Sequence, residues 1–305
     1  MFLNSSNNVK IHFAGCEVLS FIPAFNVSGI RYALHSVYPL IGHKFGLPVR
    51  SDCRKALKID LEEIPSVIAA QKKHTIMDSG IFTLAYGAQK GCSQRLIDKW
   101  YDEYVRFVNM FTPKHVSIVE VDSQSIVSPN HAWSLRRNLR HDCPKHTQIN
   151  VWHFEDGRDG LDEMIDFTDY IGFSVPEYKR IIGNSKATTL VMELCRYAKK
   201  KKPSIKIHLL GCTDVRILSP LKDIVYSADS TSWVAIGKYG GRTSIERGIS
   251  SANIEGPIRD ACMEEASKIF HIEKLSDGMR IDIVRRALAL KYHKDKYCSA
   301  LGSQE

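Results

Sequence analysis

The sequence predicts a (β/α)8 barrel with a short C-terminal helical tail, and three observations carry that expectation. First, eight short β-rich apolar runs follow one another along the 305 residues, separated by helical or crossover segments. Second, three of these runs end in an aspartate: residues 74–77 lead to Asp78, 116–121 to Asp122 and 224–226 to Asp229. A parallel barrel that gathers its chemistry at one rim produces that pattern. Third, no glycine-rich dinucleotide fingerprint follows the first run, which weighs against a doubly wound open sheet.

Taken in order, residues 10–16 (KIHFAGC) read as the first strand and 30–38 as the second, with a crossover over 18–26. Residues 39–54, rich in Gly, Pro and basic side chains, read as a loop. Residues 60–72 read as a helix, because Leu61, Ile64, Val67 and Ile68 recur at helical spacing. The third strand, 75–77, runs into Asp78-Ser79-Gly80. A helix over 95–111 follows, with Leu96, Trp100, Tyr104, Phe107 and Phe111 on one stripe; such a stripe is core, not a cofactor box. The fourth strand is 116–121, and Ser128-Pro129 opens the next helix, proline suiting its first turn. Strands over 148–154, 169–175 and 204–212 come next, with helices over 161–167 and 187–200 between them. Asp214 then caps a short helix over 215–221, and 224–228 form the eighth strand. A basic, glycine-rich loop is expected over 237–248, then helices over 257–271 and 279–293. The barrel is assigned to 1–250 and the helical extension to 251–305.

A hydrophobic content of 44% and a charged content of 25% fit a soluble globular chain. No apolar run approaches the roughly 20 residues of a membrane span. With no basic-then-apolar leader at the N-terminus, the expected place is the cytoplasm. The formal net charge of +8 favours a polyanionic partner. Lysine and arginine cluster at Arg136, Arg137 and Arg140, over 199–202, and over 285–296; the second cluster closes a helix, where cations suit the dipole. None of the eight cysteines is spaced as a zinc knuckle or a redox pair, so they read as free, mostly buried thiols.

At the rim of a barrel Asp78, Asp122 and Asp229 can share one pocket although 151 residues separate the outer two. Two carboxylates flanking a sugar are what retaining glycosyl transfer needs, one as nucleophile and one as acid/base. Aspartates at strand ends also cap helices, which is the plainer reading of each one alone.

The stretch Asp78-Ser79-Gly80-Ile81-Phe82 resembles the D-S-G-G-aromatic signature of the tRNA-guanine transglycosylase family, with Ile81 in place of the second glycine. Leu209-Leu210-Gly211 resembles that family's hydrophobic-Met-Gly stretch, and residues 171–175 (IGFSV) its I-G-G-L-x-V run. The likeness covers about residues 10–245. It implies an enzyme that swaps guanine in a polynucleotide for a 7-deazaguanine base. Asp229 would attack the anomeric carbon and Asp78 would handle the protons. Asp122 would read the guanine edge, with His153 near the family's base-reading glutamine. Phe82 and Leu210 would sandwich the base, Ser79, Gly80 and Gly211 would belong to the same pocket, and Gly172 and Phe173 would lend backbone contacts. The family's C-x-C-x-x-C zinc run is absent, so no metal and no cofactor are expected. The short form resembles phage-type members that act on DNA, which makes DNA the expected partner and tRNA the alternative, in the host cytoplasm if the chain is phage-encoded. The other partner is the free 7-deazaguanine base; no membrane partner is expected, and a homodimer is compatible with the sequence. Lys238, Arg242 and Arg247, in the basic loop after the proposed nucleophile, are expected to meet phosphates.

Two rivals stand beside this reading. A metal-dependent hydrolase would use His12 and His35 on early strands, but no H-x-H pair is present. A catalytically dead, basic nucleic-acid-binding barrel would explain Ile81 in a glycine position.

Overall fold

Eight parallel strands close on themselves in chain order, β1 to β8, in a computed structural model that describes residues 8–15, 19–47, 60–88, 92–251, 255–270 and 275–302. The strands are β1 (Lys10–Ala14), β2 (Tyr32–Ser36), β3 (His74–Asp78), β4 (Val116–Val119), β5 (Thr147–Trp152), β6 (Tyr170–Ser174), β7 (Lys206–Leu210) and β8 (Ser227–Ser230). Their sequence position and helical crossovers make this the (β/α)8 barrel that the aspartate-terminated runs predict.

Side chains alternate across each strand. Ile11 and Phe13, Met77, Ile118, Ile171 and Phe173, Ile207 and Leu209 belong to the large apolar layer under the helices. The opposite positions make a smaller apolar group, Ala14, Leu34, Ile76, Val119, Ile149, Val151 and Tyr170. Mixed with it are the buried polar side chains His12, Ser117, His208, Ser227 and Asp229. A barrel interior normally holds bulky branched residues. Here much of it is hydrogen-bonded polar material.

The helix Gln94–Val108 shows how the shell positions the rim. Its N-cap Ser93 accepts from the Leu96 amide, and Ile97, Trp100, Tyr101, Tyr104, Phe107 and Val108 are buried. The predicted aromatic stripe is therefore core, and it also donates. Trp100 Nε1 gives a 2.9 Å hydrogen bond to the Ser79 carbonyl, and Tyr104 Oη bonds the Met77 and Val119 carbonyls at 3.0 and 2.7 Å. Both neighbours of Asp78 are thereby tied to one helix. Trp100→Ala would lose the Ser79 tie with about 3–5 kcal/mol of packing. Trp233 does the same for β1 through Ala14, at 2.7 Å, and Tyr178 for β5 through Trp152, at 3.1 Å.

Four expectations are corrected. The eighth strand lies over Ser227–Ser230, not 224–228, because Ile224 and Val225 turn back to donate to the Leu221 carbonyl. Asp229 thus sits within the strand instead of after it. The glycine-rich stretch 237–248 is mostly helical: Ser232–Tyr239 and Ser244–Ser250, the second opened by a Thr243–Glu246 capping box. Gly241 is there because a Cβ would lie 2.2 Å from Glu246, and Gly237 because it passes Arg286. The terminal helix is longer than expected, Asp277–Leu301. It packs on Ile22–Val27, Ser232–Tyr239 and Pro257–Ile269, so the tail braces the last and first barrel segments. Finally, the loop expected over 39–54 begins with the short helix Tyr38–Ile41 and a 3-10 turn, Gly42–Phe45; residues 48–54 lie outside the described residues.

The described cysteines are free, and Cys143, Cys195, Cys212 and Cys262 are buried. Among the described residues no helix is long and apolar enough to cross a membrane.

Candidate active site

Asp229 enters from β8, paired in register with His12 of β1. Its residue is 8% exposed, and one oxygen, Oδ1, carries two hydrogen bonds: 3.1 Å from His208 Nε2 and 3.0 Å from the Gly211 amide. Gly211 reaches that position with a φ of +62°, where a Cβ would also strike Pro176 at 2.7 Å. The glycine of the Leu209-Leu210-Gly211 motif is thus a hydrogen-bond donor to the proposed nucleophile. Both of these bonds fall on Oδ1.

Asp78 ends β3, in register with Ser36 of β2. Its Oδ2 accepts from the Gly80 amide at 3.1 Å. Gly80 has a φ of +71°, and a Cβ there would lie 2.7 Å from the Tyr38 backbone, so only glycine closes this turn. Burial pushes the Asp78 carboxyl up, to about 6; the charge of Asp229 adds to the rise, while the Gly80 amide, His208 and Ser36 oppose it. The two carboxyls therefore sense each other across the rim.

Asp122 follows β4, with one oxygen accepting from the Gln124 amide at 3.3 Å and the other in an ion pair with His153 Nε2 at 2.7 Å. The second ring nitrogen, Nδ1, meets Glu177 Oε2 at 3.1 Å. Burial alone would lower the His153 pKa, but the two carboxylates raise it to about 11, so the ring is a held cation. Burial opposes the Asp122 shift as well, yet His153 and Arg136 keep that carboxyl below its usual range. Beneath this group lies a fully buried pair, Arg136 Nε to Glu120 Oε2 at 2.8 Å, with the Asn150 amide on the same oxygen at 2.7 Å.

The remaining predicted residues divide. Gly172 faces Leu210: a Cβ on Gly172 would lie 2.9 Å from Leu210 Cδ1, so the glycine makes room for that side chain. Ser79 is buried beside Asp78. Phe82 is 73% exposed, 5.0 Å from the Tyr86 ring, and Tyr86 Oη bonds Ser125 of the β4 loop at 2.8 Å. The two aromatics thus stand on the helical segment that follows β3, tied by Tyr86 to the loop after β4. Phe173 is fully buried on the outer face of β6 against Trp152, so its side chain is not in the pocket and only its backbone is available to a ligand. Lys238, Arg242 and Arg247 are exposed, on helices or the turn between them. That pair of helices packs on the terminal helix, and Arg247 bonds the Arg242 and Thr243 carbonyls. The structure does not bring these three cations into hydrogen-bond contact with the aspartates.

His208 and Glu177 belong to the site although the sequence reading passed over them. Lys206, His208 and Leu210 alternate with Ile207 and Leu209, so the polar half of β7 had to face inward; that was the available signal. His12 points inward too, with Nε2 3.0 Å from His74 Nδ1, while His35 is buried on β2. Among the described residues no group of three His, Cys, Asp or Glu side chains could hold a metal ion. A cavity of about 300 Å³, lined by Trp152, Phe154, Leu161, Leu190, Leu194 and Tyr197, lies between shell helices and involves none of the three aspartates.

No protein-family model matches the chain, and no curated protein matches it. Among solved structures, the chain is similar to one described as an aldolase, with 11% identity and a TM-score of 0.42 over 76% of this chain and 93% of that one. A likeness of that size carries no argument about activity. The barrel stands on its own strand order.

Proposed function

We propose that this chain is a guanine transglycosylase, exchanging guanine in a polynucleotide, DNA in preference to tRNA, for a 7-deazaguanine base. One observation carries the reading: two strand-end carboxyls share the rim in unlike environments. Asp229 has one oxygen doubly hydrogen-bonded, and Asp78 is raised to about 6. Pairs of carboxyls divided in this way suit a nucleophile and an acid/base. The motifs Asp78-Ser79-Gly80 and Leu209-Leu210-Gly211 add to it, because each glycine meets a steric need and donates to one of the two carboxyls.

Asp229 Oδ2 attacks the anomeric carbon as the bond from that carbon to guanine breaks. Protonated Asp78 gives its proton to the departing base. The incoming base loses a proton to Asp78 and attacks the same carbon, and the ester to Asp229 breaks. Two inversions retain configuration, and atoms and charge balance with no outside oxidant. Asp122 accepts from base N–H donors, and the His153 cation, with its ring nitrogens on Asp122 and Glu177, keeps that carboxylate ionised. Phe82 and Leu210 offer apolar surface to the planar base.

The test is exchange of labelled guanine into duplex DNA, single-stranded DNA and tRNA by the purified full chain. Incorporation into DNA is expected. Incorporation into tRNA alone would replace the DNA reading, and none into any substrate would reject the activity.

A further inference from the structure

The polar interior of the barrel is more than filler beneath Asp229. His208 is 0% exposed, and its two ring nitrogens have different neighbours. Nε2 faces Asp229 Oδ1 at 3.1 Å, and Nδ1 faces Ser227 Oγ at 2.6 Å. Ser227 Oγ in turn bonds the hydroxyl of Tyr170, which is also buried. A carboxylate only accepts, so the Nε2 proton is the donor to Asp229. With the ring proton there, Nδ1 accepts from the Ser227 hydroxyl, and Ser227 accepts from Tyr170. Every hydrogen bond in this chain then points toward the rim.

A second string lies alongside it and ends elsewhere. The His12 Nδ1 contacts the Lys10 carbonyl at 3.3 Å, its Nε2 meets His74 Nδ1, and His74 Nε2 meets Ser117 Oγ at 3.0 Å. The rings of His12 and His208 stand 6.2 Å apart, but no hydrogen bond joins His12 or His74 to Asp229 among the described residues. Two histidine strings of similar chemistry, one buried and one part-buried, thus share one interior, and one of them reaches Asp229.

We infer that His208 is a positioning residue: the Tyr170–Ser227–His208 chain fixes its tautomer, and its Nε2 proton with the Gly211 amide orients Asp229 so that Oδ2 alone faces the sugar. The catalytic consequence rests on the transglycosylase reading; the hydrogen-bond geometry does not. A misplacement of about 1 Å at a reacting atom costs on the order of 10²-fold in rate. That sets the expected effect of removing the imidazole.

Two measurements on the full chain test the inference separately. Long-range imidazole 1H–15N spectra, with His208 assigned by its loss in His208→Gln, should show a protonated Nε2 and a bare Nδ1. Asp229→Ala should abolish that preference at His208 while the His12 and His74 signals keep their tautomers. A wild-type His208 protonated at Nδ1, or a His208 spectrum indifferent to Asp229→Ala, would overturn the inference. In exchange assays His208→Phe should lower kcat about 10²-fold with KM unchanged. His208→Gln, which keeps a donor near the Nε2 position, should recover most of the loss. Ser117→Ala, which unpairs the second string, should keep wild-type kcat. A folded His208→Phe protein with wild-type kcat would also overturn it. Where the wild-type protein exchanges no base at all, the function reading fails, and the ring spectra alone decide whether His208 positions Asp229.

Discussion

Asp78 closes β3 and Asp122 lies just past β4 on the same rim, yet their carboxyls are shifted in opposite directions. Asp78 is raised to about 6, chiefly by burial and then by the charge of Asp229. Asp122 is lowered against burial because a cationic His153 lies 2.7 Å away, braced from behind by Glu177, with Arg136 adding to the effect. The contrast teaches that strand-end position sets where a carboxylate points, and its partners set what it can do. The Asp78 side can move a proton near neutral pH; the Asp122 side can only accept from donors.

The largest effect expected from that division concerns kcat. Asp229→Asn keeps the shape and removes the proposed nucleophile, so exchange should fall on the order of 10⁴-fold or more. Asp122→Asn should act mainly through KM for the base. Steady-state kinetics on both variants would break the comparison if Asp122→Asn lost kcat as completely as Asp229→Asn.

Removing the cation is next. His153→Leu leaves Asp122 and Glu177 facing each other without a counter-charge, and losing one partner of a buried pair costs about 3–5 kcal/mol. Denaturant unfolding at several pH values reads this directly. His153 has a folded pKa raised to about 11 from 6.5. Its stabilisation is therefore full below pH 6.5 and lost as pH rises towards 11. The gap between wild type and His153→Leu should close across that window.

Asp78→Asn should do the reverse at neutral pH. A carboxyl whose pKa rises from 3.8 to about 6 on folding stabilises the fold below pH 3.8, and that stabilisation is lost as pH climbs through 6. At pH 7 the amide should be more stable than the carboxylate, by roughly 1–3 kcal/mol. Under the proposed role of protonated Asp78 toward the leaving base, wild-type kcat/KM should decline as pH rises through about 6. The stability windows of Asp78 and His153 do not overlap, so one pH titration separates the two sides of the rim.

Smaller effects belong to the margins. Phe82 is 73% exposed. Phe82→Ala should leave unfolding unchanged and weaken base binding by about 1–3 kcal/mol, the scale of aromatic stacking on a base. Lys238→Ala with Arg242→Ala should flatten the log-affinity against log-salt slope for DNA by about 1.5 and spare free-base binding. A wild-type slope would remove that helix pair from the nucleic-acid path.

The sequence made the barrel readable because parallel strands buried on the helix side leave short apolar runs, and all eight observed strands fall within or overlap such runs. The eighth run does overlap, at Ser227 and Ala228, but its apolar half, Ile224 to Tyr226, is the approach and not the strand. Inward positions Ser227 and Asp229 are polar and hide β8 from any hydrophobic pattern. Asp78, Asp122, Asp229 and the two motif glycines were legible from motif and placement. His208 was hidden for the same reason as β8, since its partners Ser227 and Tyr170 lie on other strands. Glu177 in the first turn of Val175–Ile182 looks like ordinary dipole compensation until His153 is brought to it across β5 and β6. The glycines of 237–248 misled because glycine that admits a neighbouring side chain looks the same in sequence as glycine in an open loop.

The central claim is that Asp229 forms the covalent bond while Asp78 carries protons. It is tested most directly by quenching the full chain with duplex DNA under denaturing conditions and locating any protein–DNA adduct by peptide mass mapping. An adduct is expected on the peptide containing Asp229 in the wild type, with retention in Phe82→Ala and absence in Asp229→Asn. An adduct on Asp78, or base exchange that proceeds in Asp229→Asn at the wild-type rate, would contradict it.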